Sequence, residues 1–295
     1  MNRARRFYPD FQYLQLVKNI LNNGMLHEGR NSNTLSLFGN TMRFSLKDKK
    51  IPILTSKKLA WKSCLKELLW FINGSTDNKV LQKQNVKIWD GNAERTFLLT
   101  RGLNYELDGD LGPVYGHQWR HFNAEYENCE SNYSGKGIDQ LQNIIDSLKD
   151  EKERYSRRLI LSAWNPIQLD EMALPPCHVL SQYHVNSNNE LSCLLFQRSG
   201  DIGLGVPFNM ASYGFLTHLL ATHCDLKPGY LIHVIGDAHI YENHIEPLKR
   251  QIIRPYYTPP IVEIEKKESI DDYVFSDFNI INYKYHPAIK MDMIA

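Results

Sequence analysis

Four segments between residues 157 and 241, "RRLILSAW", "HVLSQYHV", "ELSCLLFQRS" and "YLIHVIGDAHIY", are rich in strand-forming residues, and some are almost continuously apolar. A strand without a polar face must be covered on both sides, so these segments predict a sheet buried on both faces. Between the last two lies "VPFNMASYGFLTHLLATHC", apolar almost all round, with Pro207 where a first helical turn tolerates it. Such a helix has no face suited to water and is expected at the centre of the molecule.

Upstream, Phe11, Leu14, Val17, Ile20 and Leu21 recur at helical spacing, and Gly24 follows as a stop. "LAWKSCLKELLWFINGSTD" reads as a strongly apolar helix ended by Gly74, with Ser75 or Thr76 placed to cap a shorter helix through Leu81. A third helix runs through Ile138, Leu141, Ile144, Ile145 and Leu148. No repeat, low-complexity tract or long Pro/Gly/Ser linker divides the chain. Its 295 residues are therefore read as one α+β domain, with residues 1–10 as a flexible N-terminal extension.

A formal charge of +1 gives no whole-chain argument for nucleic acid or an anionic membrane, so any basic site must be local. Five cysteines without C-x-x-C spacing disfavour a disulfide framework and a structural zinc site, and fit a reducing compartment. The N-terminus has charge but no apolar h-region, and no run approaches a membrane span. A soluble, unsecreted protein is expected, in which the sequon "NGS" at 73–75 carries no glycan.

Several polar residues stand where packing alone does not ask for them. Cys177 follows two prolines in "ALPPCHVLSQYHV", which fix φ and remove two backbone donors, so the cysteine is held at a strand mouth rather than inside a ladder. A small buried hydrophobe and a positioned nucleophile both fit that placement. Glu67 lies roughly 100° around its helix from Lys66, next to the Cys64/Phe71 side, where it is either a boundary ion-pair partner or a desolvated acid of raised pKa. Arg157 and Arg158 open a strand, Arg198 closes another and Arg30 sits in the loop "EGRNSNT". They are either solvated strand ends or a phosphate site, and an arginine near Cys177 would favour thiolate.

"GDLGPVYGHQWRHF" and "QRSGDIGLGVPFN" read as glycine-punctuated loops that let backbone approach a planar ligand; neither has the spacing of a phosphate cradle. "GDAHIYENH" puts His239 and Tyr241 on one strand face and His244 near an Asn243/Glu246 capping box, without the spacing of a metal site.

Together, "ELLWFINGSTD", "VKIWDGNA", "GDLGPVYGHQWRHF", "RRLILSAWNP", "MALPPCH", "QRSGDIGLGVPFNMASYGFLTH", "GDAHIYENHIEPLK" and the tail "IKMDMIA" resemble the thymidylate synthase family, from about residue 11 to the last residue. The resemblance implies a single α/β domain on a mixed sheet flanked by helices, in a homodimer packed through its sheets. The implied reaction is the reductive methylation of deoxyuridylate (dUMP) to thymidylate (dTMP), with 5,10-methylenetetrahydrofolate as co-substrate and no metal.

By that resemblance Cys177 is the nucleophile at C6 of the pyrimidine, Arg198 favours its thiolate and His178 belongs to the polar network around it. Asn209 meets the uracil O4/N3 edge, Glu67 relays protons through water, and Tyr115 lies close to the C5 proton. Asp201 is shared among the catalytic, nucleotide and folate contacts. Phosphate is held by Arg30, Arg198 and Ser199 of one subunit and by Arg157 and Arg158 of the other, and the ribose 3′ hydroxyl by His239 and Tyr241. Folate stacks against Ile88, Trp89, Leu204, Gly205 and Phe208, with polar contacts from Asn92 and Asp201. The tail near Met293 and Ala295 closes over it. Cytoplasmic residence, with a nuclear pool, goes with this role.

The chain departs from the family pattern at three places. "RNSNTL" is one residue shorter than the usual R-T-G-T-G-T-L and lacks both glycines, so Arg30 is expected to reach the phosphate differently, or only when the loop closes. His184 and Ala60 replace aromatic residues after the nucleophile and near the folate tail. Two other readings stay open. Deoxycytidylate hydroxymethylase resembles this chain but carries aspartate where Asn209 stands. A catalytically silent dimer binding nucleic acid, such as its own messenger, is disfavoured as a sole function by the near-zero charge; messenger binding as a secondary role stays open.

Overall fold

The computed structural model describes residues 8–28 and 32–293. In chain order the elements are α1 (Pro9–Asn23), β1 (Met25–His27), β2 (Thr34–Ser45), α2 (Trp61–Ile72), α3 (Asn78–Gln82), α4 (Asp90–Ala93), α5 (Arg95–Thr100), α6 (Tyr115–His121), α7 (Gln140–Lys149), β3 (Ile160–Ser162), β4 (His178–Val185), β5 (Glu190–Asp201), α8 (Gly205–His223), β6 (Lys227–Tyr241), α9 (Ile245–Ile252), β7 (Ile261–Ile264) and β8 (Phe278–Ile281). Six strands form one sheet in the order β1-β2-β6-β5-β4-β3, and β7 and β8 form a small second one. The β5/β6 pair is parallel and the remaining pairs are antiparallel, so the main sheet is mixed.

The all-apolar segment between β5 and β6 is the crossover helix α8, which packs on both strands and on α2. Phe215, Leu216, Leu219 and Leu220 are fully buried in it. Under this helix the sheet's inward residues Leu191, Cys193, Leu195, Leu231 and Ile235 are inaccessible to water. The opposite face differs from the expectation of burial on both sides: Leu180, Leu194, Phe196, Ile232 and Val234 are only half-buried. Register places Leu180 beside Phe196, Phe196 beside Val234 and Leu194 beside Ile232, so these side chains form one apolar strip across three strands.

α1 ends at Gly24, whose N–H closes on Ile20 O, and α2 is followed by Gly74 at φ +69, a conformation glycine adopts without a Cβ penalty. α1 takes in Pro9 and Asp10, the last two residues of the expected extension, and the Asp10 carboxylate accepts from the N–H groups of Thr55 and Ser56. Other expectations are corrected. α3 is capped by Asp77, which accepts from Lys79 N, rather than by Ser75 or Thr76; the Thr76 hydroxyl instead pairs with Tyr126. α7 starts after Asp139, leaving Ile138 outside and 54% exposed. The stretch read as a glycine loop at 109–122 contains α6. The expected Asn243/Glu246 capping box does not form: His244 is the N-cap of α9 without a side-chain cap, and Glu246 pairs with Lys249.

Candidate active site

Cys177 sits in the turn that enters β4, as two preceding prolines require, and the turn is held from three sides. Its N–H donates to the Tyr115 hydroxyl at 2.8 Å, and its carbonyl accepts from Arg198 N at 2.9 Å. The Arg198 guanidinium donates to Pro176 O at 2.9 Å and to Pro175 O at 3.0 Å. Prolines that cannot donate still accept, so an arginine three residues inside the end of β5 pins the cysteine's approach. Burial pushes the Cys177 thiol up, and the positive charge of Arg198 only partly offsets this. Arg198 thus acts on the thiol in the expected direction without outweighing its burial.

Around this turn runs an aromatic wall. Tyr115, the first residue of α6, stacks on His178 at 4.3 Å between ring centres and touches Phe71 and Trp89. Burial holds the Tyr115 phenol well above its usual range and depresses His178 to about 3, so both rings are neutral; His178 Nδ1 lies 3.2 Å from the Tyr213 hydroxyl. Glu67 on α2 accepts from Trp89 Nε1 at 2.7 Å, and burial lifts its carboxyl to about 7. Of its two sequence readings, the desolvated acid is the one realised.

A buried amide network lies on the inward face of β5 and β6. Gln197 Nε2 is 2.9 Å from Ser199 O and from Asn209 Oδ1, and Gln197 Oε1 is 2.8 Å from His233 Nε2. A backbone carbonyl can only accept, which assigns the amide nitrogen to Ser199 O and requires Asn209 to face Gln197 with its oxygen. The Asn209 Nδ2 group is left to donate elsewhere. Sequence reasoning missed Gln197, His233 and Tyr213. Polar residues at inward positions of buried strands, out of step with their alternation, were the available signal for the first two.

Asp201 ends β5; its carboxylate accepts from Gly203 N at 2.8 Å and Leu204 N at 3.2 Å. Asp201 pairs in register with His239 on β6, whose ring lies 5.2 Å from that of Tyr241 and whose Nδ1 is 3.7 Å from Asp237. Ser199, Leu204, Gly205, Phe208 and Asn209 are half-buried around the β5–α8 junction, as are Ile88 and Asn92 beside buried Trp89. Arg157 and Arg158 are exposed ahead of edge strand β3, apart from Cys177, and their guanidinium groups have no ion pair among the described residues. Met293 is 70% exposed. Arg30 and Ala295 lie outside the described residues.

The arrangement offers a positioned thiol, a neutral phenol beside it and a carboxyl that titrates near neutrality, the components of nucleophilic addition with proton transfer. Among the described residues no group of three or more His, Cys, Asp and Glu side chains is placed to hold a metal ion, and no helix is long and apolar enough to cross a membrane.

A family model described as thymidylate synthase matches residues 11–295. The chain is similar to the bifunctional dihydrofolate reductase-thymidylate synthase of Leishmania major, 48% identical over 98% of this chain and 56% of that protein. It is 50% identical to the protein of the same name from Zea mays, over 97% of this chain and 54% of the relative. It is 54% identical to the thymidylate synthase of Homo sapiens, over 97% of this chain and 91% of that one. The chain thus spans about half the length of the two bifunctional relatives.

Proposed function

Since the chain belongs to the thymidylate synthase family, we propose that it converts deoxyuridylate to thymidylate through a covalent adduct between Cys177 and C6 of the uracil. The observation that carries this reading is Cys177 held at the strand mouth against the Tyr115 hydroxyl, with Glu67 poised near neutrality across the same aromatic wall. 5,10-Methylenetetrahydrofolate supplies the one-carbon unit and the hydride. Trp89, Ile88, Leu204, Gly205 and Phe208 suit a planar co-substrate, and the Asp201 and Asn92 side chains suit its polar edge.

In this reading the pocket keeps Cys177 as a thiol until the nucleotide arrives, and Arg198 then favours the thiolate while meeting the phosphate with donors its prolyl contacts leave over. Asn209 donates Nδ2 to O4 of uracil, where negative charge develops; an amide fixed with its oxygen toward Gln197 supports uracil over cytosine. Glu67 moves protons through water to O4 and the folate, and the Tyr115 hydroxyl, which accepts from Cys177 N and keeps its own proton, serves the C5 proton step. His239 and Tyr241 take the ribose hydroxyl, Ser199 the phosphate, and the C-terminal residues close over the folate.

The protein acts as a homodimer in which the half-buried apolar strip of each sheet covers the other. Arg157 and Arg158, exposed and without an ion pair among the described residues, reach the neighbouring subunit's phosphate. Five unpaired thiols support cytosolic residence, with a nuclear pool.

The test is adduct formation. With 5-fluorodeoxyuridylate and 5,10-methylenetetrahydrofolate, the denatured protein should gain the mass of both ligands on the peptide containing Cys177, and Cys177→Ala should gain nothing while still binding nucleotide. An adduct on Cys193 or Cys224, or none, defeats the reading.

A further inference from the structure

Three separate parts of the chain meet on one buried imidazole. His244, in the turn from β6 into α9, has no exposed side-chain surface, and its Nδ1 lies 3.5 Å from Asp201 Oδ1. On its other edge Nε2 is 2.8 Å from the backbone carbonyl of Asp292, in the C-terminal segment. The β5–α8 loop closes directly on the ring: a Cβ at Gly203 would come within 2.4 Å of His244 Nδ1. From the far side Lys57 Nζ donates to Gly203 O at 2.6 Å, which holds the loop in that position.

Proton counting constrains the state of this ring. The Asp292 carbonyl only accepts, so Nε2 must carry a hydrogen. In the neutral form Nδ1 would then present a bare lone pair to the Asp201 carboxylate oxygen 3.5 Å away. A second proton on Nδ1 turns that repulsion into an ion pair while Nε2 keeps the tail carbonyl. The observed contacts suit the imidazolium and not the neutral ring.

We infer that His244 is a positioning residue whose imidazolium ties Asp201 to the C-terminal segment, so that seating the tail, holding the Asp201 carboxylate and binding one proton are coupled. Its consequence for turnover rests on the reading that the tail closes over folate beside Asp201; the contact itself does not. The groups around His244 are Asp201 from β5, His239 and Tyr241 from β6, Lys57 from the segment before α2, and the Asp292 backbone. Tyr241 meets the ring edge-on at 5.6 Å. Burial pulls the imidazole down and Lys57 opposes its charge, but Asp201 and the Asp292 carbonyl outweigh both, leaving it above the ordinary 6.5. A pKa raised by the seated tail makes seating favourable at low pH and weakens it as pH rises through that raised value.

Amide hydrogen exchange of the tail peptide spanning residues 287–293 in the full chain, without ligands, tests this between about pH 6 and about pH 9 after correction for intrinsic exchange. Wild-type protection should fall in a step above the ordinary histidine range. In His244→Gln, whose amide donates to the carbonyl but does not titrate, protection should stay level; in His244→Ala it should be low at every pH. In turnover, His244→Ala should raise KM for 5,10-methylenetetrahydrofolate by roughly three- to tenfold, with KM for deoxyuridylate unchanged and rescue by His244→Gln. A pH-independent wild-type tail, or an unaltered step in His244→Gln, overturns the inference. A titrating tail on a protein that makes no thymidylate keeps the latch and sinks the functional reading instead.

Discussion

Glu67 shows how one buried carboxyl carries both a cost and a use. Among the described residues its carboxyl accepts from Trp89 Nε1 alone, and burial raises it from 4.5 to about 7. The unfolded chain ionises near the lower value and the folded chain near the higher. This contribution to stability is therefore complete below about pH 4.5 and is lost as pH rises through about 7. At ~1.4 kcal/mol per pKa unit the loss is on the order of 3 kcal/mol. Glu67→Gln keeps an acceptor for Trp89 and removes the titration. Its denaturation midpoint should rise relative to wild type between about pH 5 and about pH 8, while turnover falls by roughly 10²- to 10⁴-fold. A midpoint difference that does not change with pH would show that Glu67 ionises freely in the folded chain.

Among the elements, α8 and strands β4 to β6 were legible because burial imposes a period: a helix without a polar side and strands with apolar inward positions have few alternatives. β2 was not legible, because Ser36 and Asn40 occupy positions in phase with Met42 and Phe44 and break the alternation; Ser36 is there to bond the Asp237 side chain. α6 was hidden by Gly109, Gly112, Pro113 and Gly116, turn signals in any local window, and becomes a helix because Trp119 and Tyr115 pack into the core. The site divides in the same way. The prolines place Cys177 at a strand mouth and the helical face places Glu67 toward the apolar side, but for each a purely structural reading fitted equally well, and only the family resemblance separated the two. The clamp of Arg198 on the prolyl carbonyls joins residues 22 and 23 apart, and Gln197 with His233 joins residues 36 apart. Such pairings follow from sheet register, which no local pattern states.

At the scale of the whole molecule, a strip of half-buried leucine, isoleucine, valine and phenylalanine across β4, β5 and β6 calls for a cover, and two exposed arginines ahead of edge strand β3 have guanidinium groups without an ion pair among the described residues. The symmetric dimer proposed above would answer both. Cys177→Ala and Arg158→Ala chains, each almost inactive alone, should complement when unfolded together and refolded. About half the dimers are then mixed, each with one intact site, so activity returns to roughly a quarter of wild type. No recovery, with mixed dimers seen by native mass spectrometry, would assign Arg158 to its own subunit. The claim beneath all of this is that the chain adds a one-carbon unit to uracil and not to cytosine, and loss of the C5 hydrogen reports that chemistry directly. With [5-³H]deoxyuridylate and 5,10-methylenetetrahydrofolate, wild type should release tritium to water in step with thymidylate formed, and [5-³H]deoxycytidylate should release none. Retained tritium on deoxyuridylate, or release from deoxycytidylate with a hydroxymethyl product, would contradict it.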